Sequence, residues 1–137
     1  MPTSRGSNHV LAASGTSRAA DLLLTGRLIS AREALDMGLV SRVVPDAELL
    51  PAAQALARDI AEQTAPVAVA LTKQLLWHMT GELDPAAAER LDAQVFGWTT
   101  QSSDAREGIR AFLEKRAARW RMKPTADAPA LERFRKR

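Results

Sequence analysis

Apolar residues recur through the middle of the chain at the spacing of an α-helix. One buried helical stripe is predicted, at i, i+3, i+4, i+7 and i+8 spacing, by Ala53, Leu56, Ala57, Ile60 and Ala61. Residues 67–79 form the most apolar segment, and residues 85–99 repeat the same kind of stripe. A last strong helix is marked by Ile109, Phe112 and Leu113. The pattern therefore predicts a series of short helices.

Residues that favour helix ends stand at the borders of these segments. Ser30 followed by Glu33 has the spacing of a capping box, in which the serine oxygen accepts from a backbone amide of the first turn. Gly38 then stands where a left-handed residue ends a helix. Asp84 followed by Pro85 is typical of a helix start. These signals divide the chain into helices independently of the apolar pattern.

One segment departs from the helical pattern. Residues 40–44 alternate and are rich in valine, which predicts a short strand or an extended crossing that ends at Pro45. The whole is predicted to be a mostly α fold with one short extended strand. We expect a loose arm over residues 1–15, one helical region over 16–123, and a basic, disordered tail over 124–137.

Composition excludes several kinds of active site. The 137 residues include 26 alanines and only 4% aromatic residues, which suits closely packed helices. Cysteine is absent, which excludes disulfides, zinc–thiolate sites and cysteine catalysis. The two histidines, His9 and His78, are far apart and in dissimilar contexts, so no metal site is predicted. No glycine-rich phosphate loop is present, and the residues alone indicate no catalytic group. Paired carboxylates such as Glu107 and Glu114 lie among cations and suit a solvated helix face.

The positive charge is concentrated at one end of the chain. The net charge is +3, but nine basic and only two acidic residues lie between Lys115 and Arg137. A solvated basic tail explains this cluster, and binding of nucleic acid or another polyanion is the less favoured alternative. No apolar run has the ~18 residues of a membrane span, and no secretory signal is visible. We therefore expect a cytoplasmic protein without a membrane span.

Four stretches of sequence are more specific than the composition. They are DLLLTGRLISAREA at residues 21–34, MGLVSRVVP at 37–45, PVAVALTK at 66–73, and EGIRAFLEKR at 107–116. In this order and at these separations, the sequence resembles the C-terminal part of the crotonase superfamily, the enoyl-CoA hydratase/isomerase family. The resemblance covers roughly residues 15–121.

The resemblance implies a fold and an activity. Members of the family have an N-terminal spiral of ββα repeats that holds the active site, and a C-terminal helical region that drives trimers, often paired into hexamers. They hydrate or isomerise 2-enoyl-CoA thioesters of fatty-acid metabolism, using two backbone amides as an oxyanion hole and two glutamates for proton transfer. Acyl-CoA is their substrate, and no cofactor is implied.

The sequence departs from the family pattern at its start. The segments that carry the oxyanion-hole amides and catalytic glutamates have no counterpart in it, and no glutamate precedes Glu33. We therefore expect a truncated homologue, inactive as these residues alone, in which the spiral core is absent and no catalytic residue is assigned.

The resemblance carries over one binding role. The family's phenylalanine and lysine that contact the adenine and phosphate region of CoA match Phe112 and Lys115. An aromatic ring can contact adenine, and an ammonium can pair with phosphate. The alternative interpretation places Phe112 in the core and Lys115 on a solvated helix face.

The sequence also leaves two non-enzymatic functions open. Without a spiral core to cover them, the apolar helix faces favour self-association or binding to a full-length paralogue, so a homo-oligomer is expected. The basic tail supplies the other alternative, which is polyanion binding.

Overall fold

The computed structural model describes residues 10–81 and 84–135 as a series of helices and connecting loops. Its helices are, in chain order, α1 (Thr16–Thr25), α2 (Ala31–Asp36), α3 (Asp46–Gln63), α4 (Pro66–Met79), α5 (Pro85–Thr100), α6 (Ser103–Leu113), α7 (Pro124–Asp127) and α8 (Glu132–Arg135). Residues 10–14 are also helical, so this part of the predicted loose arm is ordered, whereas its residues 1–9 lie outside the described residues. The mostly α prediction is confirmed.

The predicted strand over residues 40–44 is wrong. These residues adopt neither helix nor strand, and no strand occurs among the residues that the structure describes. A valine-rich alternating segment becomes a strand only when another extended segment pairs with its backbone. The described chain supplies no strand to pair with these residues.

The helix borders follow the predicted capping residues closely. The Ser30 hydroxyl accepts from the Glu33 amide at 3.1 Å, and Gly38 adopts a left-handed conformation, with φ of 79°. The Asp84 carboxylate accepts from the Ala86 amide at 3.0 Å, at the start of α5. Each capping residue contacts backbone groups only a few positions away, so these contacts do not depend on how the rest of the chain packs.

The chain forms two compact units, and the boundary between Ala52 and Ala53 lies inside α3. The sequence predicted one region over residues 16–123. No proline- or glycine-rich linker marks the boundary, because it falls within a continuous helix.

In the first unit, the Arg27 guanidinium joins α1 to α2 through Asp21 at 2.6 Å and Glu33 at 2.7 Å. The Arg27 hydrogen bond, together with the weaker Ser30 backbone contact, lowers the pKa of Glu33.

The second unit holds the main hydrophobic core. Its buried members come from α4, α5 and the chain around α8: Val67, Leu71, Leu75, Leu91, Val95, Leu131 and Phe134. The Phe134 ring meets the Trp98 ring edge-on, with 6.5 Å between centroids. The apolar segments predicted at α4 and α5 therefore supply the buried residues of these two helices.

The disordered tail predicted over residues 124–137 is wrong for its described part. Residues 124–127 and 132–135 are helical, and Leu131 and Phe134 are buried in the core. The high content of proline and arginine suggested disorder, but two apolar residues three positions apart are enough to anchor the segment against α4 and α5.

The apolar stripe predicted to be buried on α3 is exposed. No residue of α3 is buried, and Leu56 and Ile60 are both solvent-exposed. The periodicity correctly indicates an amphipathic helix but not whether another surface covers it. None of the helices in the described ranges is long and apolar enough to cross a membrane.

Candidate functional site

The candidate site is built on α6 and on the chain that follows it, residues 116–122, called here the return segment. Ser102 begins α6 by accepting a hydrogen bond from the Ala105 amide at 3.0 Å. Asp104, in the first turn, is 2% exposed. Its carboxylate accepts from the Arg121 amide at 2.9 Å and from the Met122 amide at 3.2 Å. This buried carboxylate fixes the far end of the return segment to the start of α6.

Glu107 fixes the near end of the return segment. Its carboxylate accepts from the Arg116 guanidinium at 2.6 Å and from the Arg119 amide at 2.8 Å. The Arg116 hydrogen bond, followed by the Arg119 amide, lowers the pKa of Glu107 to about 2. Arg116 also binds Glu114 at 2.6 Å, and its two carboxylate partners raise its pKa. Glu107 and Glu114 thus share one guanidinium and do not form an acid–base pair.

A tryptophan packs the return segment against α6 and α3. The Trp120 indole N–H donates to the Glu62 carbonyl at 3.1 Å. Its ring lies over Gly108, where an added Cβ atom would stand 3.5 Å from the ring. The sequence pattern alone indicates no role for Trp120, although a glycine within a helix, such as Gly108, is a signal of close packing.

The structure places Phe112 at the surface of the last turn of α6, where it is 83% exposed. The alternative interpretation that put Phe112 in the core is therefore wrong. Phe112 lines an open cavity of about 600 Å³, together with Arg116 and Trp120. Two aromatic side chains and a guanidinium thus border one space, a combination that suits a planar, negatively charged ligand.

Lys115 lies two residues beyond the end of α6 and is exposed. It has a left-handed backbone, with φ of 52°, and so belongs to the turn and not to a helix face. It does not line the Phe112 cavity itself. The two residues assigned by resemblance are therefore close in the chain, but only Phe112 borders this space.

No metal site is visible in the part of the chain that the structure describes. Among those residues, no group of three or more histidine, cysteine, aspartate or glutamate side chains could hold an ion. His78 lies near the end of α4 and has an interaction partner. His9, the other candidate considered from sequence, lies outside the described residues.

Comparison with known proteins gives the same family by three routes. The family model for enoyl-CoA hydratase/isomerase matches residues 1–123. The chain is 43% identical over 99 residues to the enoyl-CoA hydratase EchA19 of Mycobacterium tuberculosis, with 72% of this chain and 36% of that protein covered. It is 41% identical over 106 residues to the human mitochondrial enoyl-CoA hydratase domain-containing protein 3, with 77% of this chain and 34% of that protein covered.

The fold is also similar to solved structures. The crystal structure of an enoyl-CoA hydratase from Bacillus anthracis superimposes with a TM-score of 0.76 at 33% identity, covering 84% of this chain and 45% of that one. The chain thus spans less than half the length of each of these three relatives. Both the sequence and the helical fold match one part of a larger protein.

Proposed function

Since the chain belongs to the enoyl-CoA hydratase/isomerase family, we propose that it forms a CoA-binding and subunit-contact portion of an enzyme acting on 2-enoyl-CoA thioesters. Hydration and isomerisation need an oxyanion hole and free carboxylates. The two carboxylates of the site, Asp104 and Glu107, are both engaged in fixing the return segment. These 137 residues on their own are therefore proposed to be inactive. Measurable hydration of crotonyl-CoA by them alone would contradict this.

The exposed Phe112 ring is the observation that carries the proposal. An 83% exposed phenylalanine leaves apolar area in water that burial would stabilise. Its ring borders a cavity of about 600 Å³, large enough to admit an adenine. Lys115 follows three residues later, on an exposed turn. We assign Phe112 to contact the adenine of CoA and Lys115 to pair with a CoA phosphate.

Replacing Phe112 by alanine is expected to weaken CoA binding by about tenfold, because stacking of one base on an aromatic ring contributes about 1–3 kcal/mol. Lys115→Gln should weaken binding only a few-fold, since an exposed ion pair contributes about 0–1 kcal/mol. Titration of the chain with CoA, by calorimetry or ligand-observed NMR, measures both effects.

Phe96→Ala is the matched control for this titration. Phe96 is a helical phenylalanine that is 68% exposed, on α5, and it does not line the Phe112 cavity. F96A should bind CoA as the unchanged chain does. Equal losses in F112A and F96A, or no loss in either, would contradict the assignment of Phe112.

A second function is favoured by a separate observation, the uncovered apolar face of α6. Ile109 and Leu113 lie one turn apart and are both exposed. Apolar clusters of this kind mark interfaces in soluble proteins. We propose that this face binds a second copy of the chain, giving a homo-oligomer.

Self-association should therefore increase with protein concentration, and the double variant Ile109→Lys, Leu113→Lys should shift the chain to a monomer, because four buried charges would oppose each pair of faces. Light scattering over a dilution series measures the mass. The variant Thr72→Lys, Gln74→Lys adds the same charge at exposed positions of α4 and should associate as before. A monomeric unchanged chain, or association that survives I109K/L113K, would overturn the proposal.

A further inference from the structure

Arginines surround a second cavity on α6, next to the return segment. The space is about 400 Å³, and its lining residues are Ser103, Asp104, Arg106, Glu107, Arg110, Arg116, Arg119 and Arg121. Five guanidiniums thus face two carboxylates. Phe112 and Lys115 do not line this cavity, which shares only Arg116 with the Phe112 cavity.

The spacing of the arginines along α6 and along the return segment explains why their side chains lie together. Arg106 and Arg110 are one turn apart on α6 and therefore share a helix face. In the return segment, Trp120 and Met122 are half-buried whereas Arg119 and Arg121 between them are exposed, which places both arginines on the outer side. The arginine side chains therefore lie together because α6 and the return segment pack against each other, and not because of the rotamers of individual arginines.

The carboxylate anchors hold this arrangement in place. Glu107 accepts from the Arg119 amide and Asp104 accepts from the Arg121 amide, so the backbone beneath each of the two outer arginines is fixed. A site whose backbone is already fixed loses less conformational entropy when a ligand binds.

The positive charge around the cavity is only partly neutralised. Arg116 is paired with Glu107 and Glu114. Within the described residues, the side chains of Arg110, Arg119 and Arg121 make no hydrogen bond and no ion pair, while both cavity carboxylates are occupied. Like charges held in one space repel one another, and an anion between them would relieve that repulsion.

We propose that this arginine cavity binds the phosphate group of a small phosphorylated molecule. Guanidinium groups match phosphate oxygens with paired, charge-assisted hydrogen bonds. A phosphate dianion also fits the excess of positive charge better than a monocarboxylate does. The ligand is therefore free phosphate or a small phosphate ester, bound in a cavity that is open to solvent.

The test is a titration with inorganic phosphate at constant ionic strength, followed by phosphorus NMR or calorimetry. The unchanged chain should bind phosphate and should not bind acetate at the same concentration. The double variant Arg110→Gln, Arg121→Gln should bind phosphate about tenfold more weakly, because it removes two charge-assisted contacts. Neither side chain makes a hydrogen bond or an ion pair within the described residues, and circular dichroism verifies that the variant is folded.

The matched control is the double variant Arg42→Gln, Arg58→Gln, which removes the same charge at exposed positions outside the cavity. It should bind phosphate as the unchanged chain does, and so should F112A, which separates this proposal from the CoA assignment. Glycerol 3-phosphate as a second probe distinguishes a phosphate ester from free phosphate, because it has no base that Phe112 could contact. No binding of either probe, or equal losses in R110Q/R121Q and R42Q/R58Q, would overturn the proposal.

Discussion

Replacing Leu71 by alanine is expected to lower the free energy of unfolding by about 3 kcal/mol, because substitutions of this kind in packed cores cost 2–5 kcal/mol. Leu71 lies in the middle of α4 and is 1% exposed. It belongs to the cluster that joins α4 and α5 to Leu131 and Phe134. Urea unfolding followed by circular dichroism measures the change.

Leu76→Ala, on the same helix, is the matched control. Leu76 is 61% exposed, so its truncation should change the unfolding free energy by less than about 0.5 kcal/mol. Both variants should be measured at a concentration low enough to keep the chain monomeric. Similar effects of L71A and L76A would show that the buried face of α4 has been assigned wrongly.

The same distinction shows how far the sequence could predict this fold. The i, i+3, i+4 pattern was present in α3, α4, α5 and α6, and in each case it identified an apolar face. In α4 and α5 that face is buried, and in α3 and α6 it is exposed. Periodicity is a property of the helix itself, whereas burial depends on which other part of the chain packs against that helix. That part is distant in sequence.

The chain around α8 shows the opposite error, since a segment predicted to be disordered is buried. Composition predicted disorder from residue 124, yet Leu131 and Phe134 close one side of the core. The stabilisation from burying two side chains depends on a surface prepared by α4 and α5. Nothing within the segment itself reveals that surface, so local composition alone gave the wrong result.

The candidate site shows the same limit more sharply. Resemblance supplied Phe112 and Lys115, and capping rules supplied the start of α6. The burial of Asp104 could not be predicted, because its partners Arg121 and Met122 lie 17 and 18 residues away. The arginine cavity depends on those contacts and was therefore also invisible in the sequence.

Asp104→Ala is expected to be the most disruptive single change at the site, lowering the unfolding free energy by about 3 kcal/mol. It would leave the amides of Arg121 and Met122 without their acceptor in a part-buried place. An unmade hydrogen bond to a buried group costs about 1–3 kcal/mol, and bonds to a charged acceptor lie at the upper end. Asp104→Asn retains one acceptor oxygen and should lose about half as much. Urea unfolding followed by circular dichroism measures both.

Asp127→Ala separates burial from hydrogen bonding as the source of this effect. Asp127 also accepts a backbone hydrogen bond, from the Lys123 amide at 2.7 Å, but it is exposed. Water can replace its carboxylate, so D127A should cost well under about 1 kcal/mol. If D104A and D127A were equally mild, the return segment would be held by Glu107 and Trp120 without help from Asp104. If D104A is severe, it should also weaken phosphate binding several-fold, because it releases the backbone at Arg121, whereas Glu107 still holds the Arg119 amide.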